Sequence, residues 1–167
     1  KNDEVFSLEY MPDVFMYRES QMAALQQCLK PTIRKQRPIN AFLVGNPATG
    51  KTTAIKTAFN QLEDSSDAVC VHINCTNLTT TYRILSEIHK KLIGYLPPET
   101  GVPLSKLQDS IFQKIAKEKK VLVVALDDVS SIKNVEESMY IILRAHESYP
   151  QAKNGITREM LDQAPRA

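Results

Sequence analysis

Gly45-Asn46-Pro47-Ala48-Thr49-Gly50-Lys51-Thr52 reads G-x-x-x-x-G-K-T, the spacing of a phosphate-binding loop. Ahead of it, Ala41-Phe42-Leu43-Val44 is an apolar run suited to a buried parallel strand. Behind it, apolar residues at positions 54, 55, 58, 59 and 62 mark a helix with one buried face. Strand, loop and helix come in the order that phosphate binding needs. Main-chain N–H groups of such a loop, with the N-terminus of the helix that follows, form an anion nest for a triphosphate. Gly45, Asn46, Pro47, Ala48, Thr49, Gly50 and Thr53 would shape that nest. Lys51 would reach the β- and γ-phosphates, and the Thr52 hydroxyl would hold Mg²⁺. A triphosphate with Mg²⁺ is therefore the expected ligand. The plain alternative is a glycine turn followed by a surface lysine.

The remaining chain fits an α/β domain. Its 167 residues are enough for one domain with a sizeable core. Apolar residues make up 43 % and charged residues 24 %, ordinary for a globular protein. Twenty-one basic and 19 acidic residues leave a net charge of +2, too even to announce a nucleic-acid partner by itself. No run reaches the length of a membrane span and no signal-peptide pattern opens the chain. Cys28, Cys70 and Cys75 lack metal-ligand spacing, which suits buried reduced thiols in a cytoplasmic protein.

Further strands are expected at 68–74 and 121–126, the second a continuous apolar run of the kind buried on both faces of a parallel sheet. Helical stripes cover 19–30, 80–92, 104–117 and 135–146. The dense Pro and Gly of 94–103 mark a loop. Strands alternating with helices give a mainly parallel sheet flanked by helices. The C-terminal end looks incomplete. Where another strand should return to the sheet, 156–164 reads as a short polar helix.

Asp127 and Asp128 close the 121–126 run. A strand-end carboxylate opens into the same crevice as the phosphate loop. Asp127 would bind Mg²⁺ through water or through Thr52, and Asp128 would act as the base toward an attacking water. A solvated turn or a helix cap is the alternative for this pair.

These segments together resemble AAA+ ATPases, and among them the archaeal initiators related to the origin-recognition complex and its loader. The resemblance covers about 5–153. It is carried by Tyr10-Met11-Pro12, Tyr17-Arg18-Glu19, Arg37-Pro38-Ile39-Asn40, the phosphate loop, Ile73-Asn74-Cys75, Thr81-Tyr82-Arg83-Ile84, Leu96-Pro97-Pro98, Ala125-Leu126-Asp127-Asp128 and Leu143-Arg144-Ala145-His146-Glu147. It implies an ATP-binding core over 1–153, with 1–18 as an N-terminal arm and 154–167 as an unassigned helical remnant. Val14, Phe15, Tyr17 and Arg18 of the arm would hold the adenine, although core packing explains Val14 and Phe15 equally well. The 94–103 region would be the initiator-specific helical insertion, touching double-stranded origin DNA. Lys90, Lys91 and Tyr95 are its nearest phosphate contacts, against the reading of a solvated basic helix end. Arg34, Lys35 and Arg37 are similarly open. Origin DNA would also meet a winged-helix domain that this chain lacks, and other initiator or helicase subunits would be partners.

Two departures stand out. Ala48 replaces the usual glycine, so a methyl would crowd the loop if that position needs positive φ. Asp128 replaces the usual Glu and is one methylene shorter; Lys51, Thr52 and Asp127 preserve binding while hydrolysis would be slow. Two other functions remain open from sequence: a P-loop phosphotransferase, with Arg83 and Arg144 as candidate lid arginines, and a nucleotide-binding module without hydrolysis. The three histidines suggest no metal or catalytic role.

Overall fold

The computed structural model describes residues 19–46, 48–98, 100–148 and 153–161. Helix α1 (Glu19–Leu29) runs into a short 3-10 turn at Lys30–Arg34. Strand β1 (Ala41–Gly45) leads through the loop into α2 (Lys51–Ser65). Then come β2 (Val69–Asn74), α3 (Thr81–Ile93), α4 (Leu104–Glu118), β3 (Val121–Asp127), α5 (Val135–Ser148) and β4 (Lys153–Leu161). The four strands form one sheet in the order β1-β4-β3-β2, and all three pairings are parallel.

Strand alternation sorts the core into two layers. Val121, Val123 and Ala125 of β3, with Cys70 of β2, pack against Leu25 and Leu29 of α1 and against Ile55, Ala58, Phe59 and Leu62 of α2. The intervening residues Leu122, Val124 and Leu126, with Val71 and Ile73, face α3, α4 and α5. All seven residues of β3 are buried, which is why that run carries no polar alternation. Local signals fix the helix ends. The Thr80 side chain accepts the Arg83 N–H at 3.4 Å and caps α3. Gly94, at φ 99°, closes the same helix in the left-handed region, where a side chain is disfavoured.

The sheet's flank at β2 is guarded. The Cys70 N–H donates to Glu63 Oε1 at 3.3 Å, and the same carboxylate oxygen pairs with Lys91 Nζ at 3.3 Å. No helix among the described residues is long and apolar enough to cross a membrane.

Two expectations change. The helix foreseen over 156–164 is strand β4, seated between β1 and β3, so the chain through Leu161 belongs to the core sheet. The cause is non-local. Without β4, the facing edges of β1 and β3 would carry unpaired N–H and C=O groups, and a segment of either composition satisfies them through its main chain. The 94–103 region carries no helix of its own among its described residues; α3 and α4 flank it instead.

Candidate nucleotide and metal site

The loop is bent by left-handed residues. Ala48 sits at φ 60° and Gly50 at φ 81°. The condition under which the Ala48 methyl is unfavourable is therefore met. Gly50 in the left-handed region followed by helical Lys51 gives the alternation that turns successive N–H groups toward one anion. The Thr49 hydroxyl donates to Asn46 O at 2.7 Å and tightens the turn. Pro47 lies outside the described residues.

Lys51 is buried although charged. Its Nζ donates to Gly45 O and Asn46 O, both at 3.0 Å. The ammonium is thus held on carbonyls of the loop that it would leave for phosphate.

Thr52, in the first turn of α2, donates its hydroxyl to Asp127 Oδ2 at 2.7 Å. Strand alternation places that contact: 121, 123, 125 and 127 share the face that α2 covers. Asp127 is buried. Asp128 leaves the strand at φ 55° and opens a 3-10 turn, Val129–Ser131. Its Oδ2 accepts from Thr76 Oγ1 at 3.2 Å. Thr76 Oγ1 also contacts Asn74 Oδ1 very closely, and the Thr76 N–H donates to Asn74 Oδ1 at 2.9 Å. One hydroxyl proton serves two acceptors here, Asn74 and Asp128. Adjacent in sequence, the two aspartates therefore have separate settings, one on the α2 face and one beside the turn after β2.

Next to Lys51, an apolar cavity of about 340 Å³ opens between α1, β1 and α2, lined by Met22, Leu25, Cys28, Phe42 and Val44 among others. Its size and lining suit a base. Val14, Phe15, Tyr17 and Arg18, expected around the adenine, lie outside the described residues.

His72, for which the sequence suggests no role, stands beside the Asp127 carboxylate. Its Nε2 lies 3.4 Å from Asp127 Oδ2. Burial pulls the imidazole below its ordinary pKa, Asp127 pulls it up, and Lys56 on α2 pushes it down. Cys70 and Cys75 are buried, and burial pushes both thiols up to about 12.

The basic residues expected at DNA are spread along and beyond α3. Lys90 and Lys91 occupy its last turn, and Tyr95 follows the Gly94 cap, exposed. Lys91 is tied to Glu63 as described. The His89 ring packs edge-on against Tyr95, with Nδ1 3.0 Å from Tyr95 O. Elsewhere, Lys35 pairs with Asp67 at 3.2 Å, and Arg37 Nη2 donates to Leu143 O at 3.3 Å.

A parallel sheet with helices on both faces, a phosphate loop opening a helix, and a strand-end carboxylate bonded to the loop threonine define a P-loop NTPase core. A sequence model of the AAA ATPase domain matches residues 14–149. The chain is 45 % identical over 166 residues to ORC1-type DNA replication protein 2 of Methanothermobacter thermautotrophicus, spanning 97 % of this chain and 44 % of that protein. It is 39 % identical over 159 residues to ORC1-type DNA replication protein 6 of Halobacterium salinarum, spanning 93 % and 42 %. Among solved structures, Aeropyrum pernix ORC1 in complex with DNA superposes with a TM-score of 0.77 at 22 % identity, over 93 % of this chain and 41 % of that one. The chain belongs to the AAA ATPase family, and the named relatives it resembles within that family are archaeal ORC1-type proteins. It spans less than half the length of these two curated relatives.

Proposed function

We propose that this chain is the ATP-binding core of a DNA replication initiator of the archaeal origin-recognition type, in which bound nucleotide acts as a switch. The observation that carries the reading is the bond from the Thr52 hydroxyl to Asp127 Oδ2 at 2.7 Å. It joins the end of the phosphate loop to the end of β3, where a nucleotide-bound cation belongs. The donors fit Mg²⁺, since both are hard oxygen atoms. Thr52 and Asp127 would hold it, and when bound it neutralises phosphate charge. The names of the relatives support the replication role. A solved neighbour, Aeropyrum pernix ORC2, is described in ADPNP–ADP complexes and supports the nucleotide.

The loop amides and Lys51 bind the triphosphate, and the apolar cavity beside Lys51 takes the base, completed by Val14, Phe15, Tyr17 and Arg18 of the N-terminal arm. Asp128 takes the proton of the attacking water when ATP is hydrolysed. Its short side chain, engaged by Thr76, makes that step slow, because a misplacement of about 1 Å costs roughly a hundredfold in rate. Slow turnover preserves the bound state. Lys90 and Tyr95, with Lys91 behind them, contact the backbone of duplex origin DNA. A winged-helix domain beyond this chain and other initiator or helicase subunits complete the assembly.

The test is ATP affinity by calorimetry, with Mg²⁺ and with EDTA. Asp127→Ala should weaken binding about tenfold or more in Mg²⁺ and change it little in EDTA. Equal affinity in both buffers for the wild-type protein would refute the site.

A further inference from the structure

β2 and β3 bring an imidazole to the carboxylate of the nucleotide site. In the parallel register His72 pairs with Ala125 and Asn74 with Asp127. The side chains at 72 and 127 therefore share a sheet face and meet on the diagonal. His72 Nε2 lies 3.4 Å from Asp127 Oδ2, with the side chains 18 % and 10 % exposed. That nitrogen is itself buried and has no partner in hydrogen-bonding geometry. The oxygen it approaches is the one that receives the Thr52 hydroxyl.

The chemistry of the ring limits what this nitrogen can do. A neutral imidazole carries a single N–H. A lone pair on Nε2 would face a carboxylate oxygen and repel it, so the proton belongs on Nε2. Lys56 stands one helical turn after Thr52 on α2 and acts on the same ring. Three elements thus converge on one carboxylate: the hydroxyl from α2, the carboxylate itself from β3, and an N–H donor from β2 that is short of full engagement. A small turn of the Asp127 plane completes the bond. Buried donors rarely stay unsatisfied in every state of a protein.

We propose that His72 is a positioning residue for Asp127, its Nε2–H steering Oδ2 together with the Thr52 hydroxyl so that the carboxylate meets the metal–nucleotide complex in a single orientation. The inference rests on the ATP–Mg²⁺ reading of the site. It assigns β2 a part in metal-dependent binding.

His72→Phe keeps a ring and removes the donor. His72→Gln returns an amide nitrogen near the Nε2 position. Each is titrated with ATP in the intact protein, in Mg²⁺ and in EDTA, after a thermal melt without metal confirms folding. The affinity gain that Mg²⁺ gives should fall about tenfold in the Phe variant, the low end for loss of a group that orients a metal ligand. EDTA affinity should match the wild type, and the Gln variant should recover most of the gain. If the Phe variant does not fold, His72→Asn, whose amide stops short of Oδ2, replaces it with the same expected loss. The role of His72 is overturned if the Mg²⁺ gain survives in the donor-less variant, if affinity falls equally in both buffers, or if Gln behaves as Phe does. A wild-type protein with no Mg²⁺ gain would instead overturn the ATP–Mg²⁺ reading, and the inference with it.

Discussion

Lys51→Met keeps most of the apolar stem and removes the ammonium. Its effect on ATP affinity is a difference between two engaged states, because Nζ already donates to Gly45 O and Asn46 O. On loading, two bonds to phosphate replace two bonds to carbonyls. Both sets are charge-assisted through the ammonium; with a neutral acceptor each is at the low end of that range, about 1.5 kcal/mol, and with a charged phosphate at the high end, about 3 kcal/mol. Over two bonds the difference is about 3 kcal/mol, so Kd should rise roughly 100- to 200-fold. The ATP-free protein is affected as well. Two loop carbonyls lose their donor, at about 3 kcal/mol together, and the melting temperature falls by roughly 6–12 °C at this chain length. Calorimetric titration with ATP–Mg²⁺ reads the first quantity, and a melt followed by circular dichroism reads the second. A folded variant whose Kd lies within about threefold of the wild type would refute the placement of Lys51 at the phosphates.

Ala48→Gly relieves a left-handed non-glycine residue at φ 60°, worth about 1–2 kcal/mol, against about 0.5–1 kcal/mol of added chain entropy. Chemical denaturation should show a gain of roughly 0–1.5 kcal/mol, and a clear loss would mean that the position is not held left-handed. Cys70 and Cys75 are neutral in the folded protein, with pKa raised from 9.0 to about 12. A raised folded pKa gives stability that is complete below pH 9 and lost as pH climbs toward 12, because the thiols ionise first in the unfolded chain. Denaturant midpoints across that window test the sign, and mass-resolved alkylation at neutral pH should label the less buried Cys28 before either of them. Changing Lys90 and Lys91 together to Glu should weaken duplex DNA binding and reduce the salt slope by about 0.9 for each phosphate that is no longer neutralised. Lys90→Glu alone should carry most of the effect, since Lys91 is held by Glu63; an unchanged slope removes the end of α3 from the DNA surface.

The phosphate loop, β1, α2 and β3 were legible because their signals are local. Gly50 marks a left-handed turn, 121–126 is continuously apolar, and the helical stripes set α3 and α4 within a residue or two. β4 was not legible, since Lys153–Leu161 is strand through what lies on either side of it and not through its own composition. His72 failed for a related reason. A strand over 68–74 puts 70, 72 and 74 on one face, a step the sequence reading did not take, and only the pairing of β2 with β3 puts residue 72 diagonal to Asp127. That register is a non-local fact that a single sequence does not print. Ala48 was the opposite case: a departure from an expected glycine raised the question of positive φ, and the backbone answered it.

Glu63 has a consequence for assembly. A foreign strand adding along β2 would have to strip this carboxylate from the Cys70 amide and break its tie to Lys91. Strand addition at that border of the sheet therefore carries the cost of breaking both contacts.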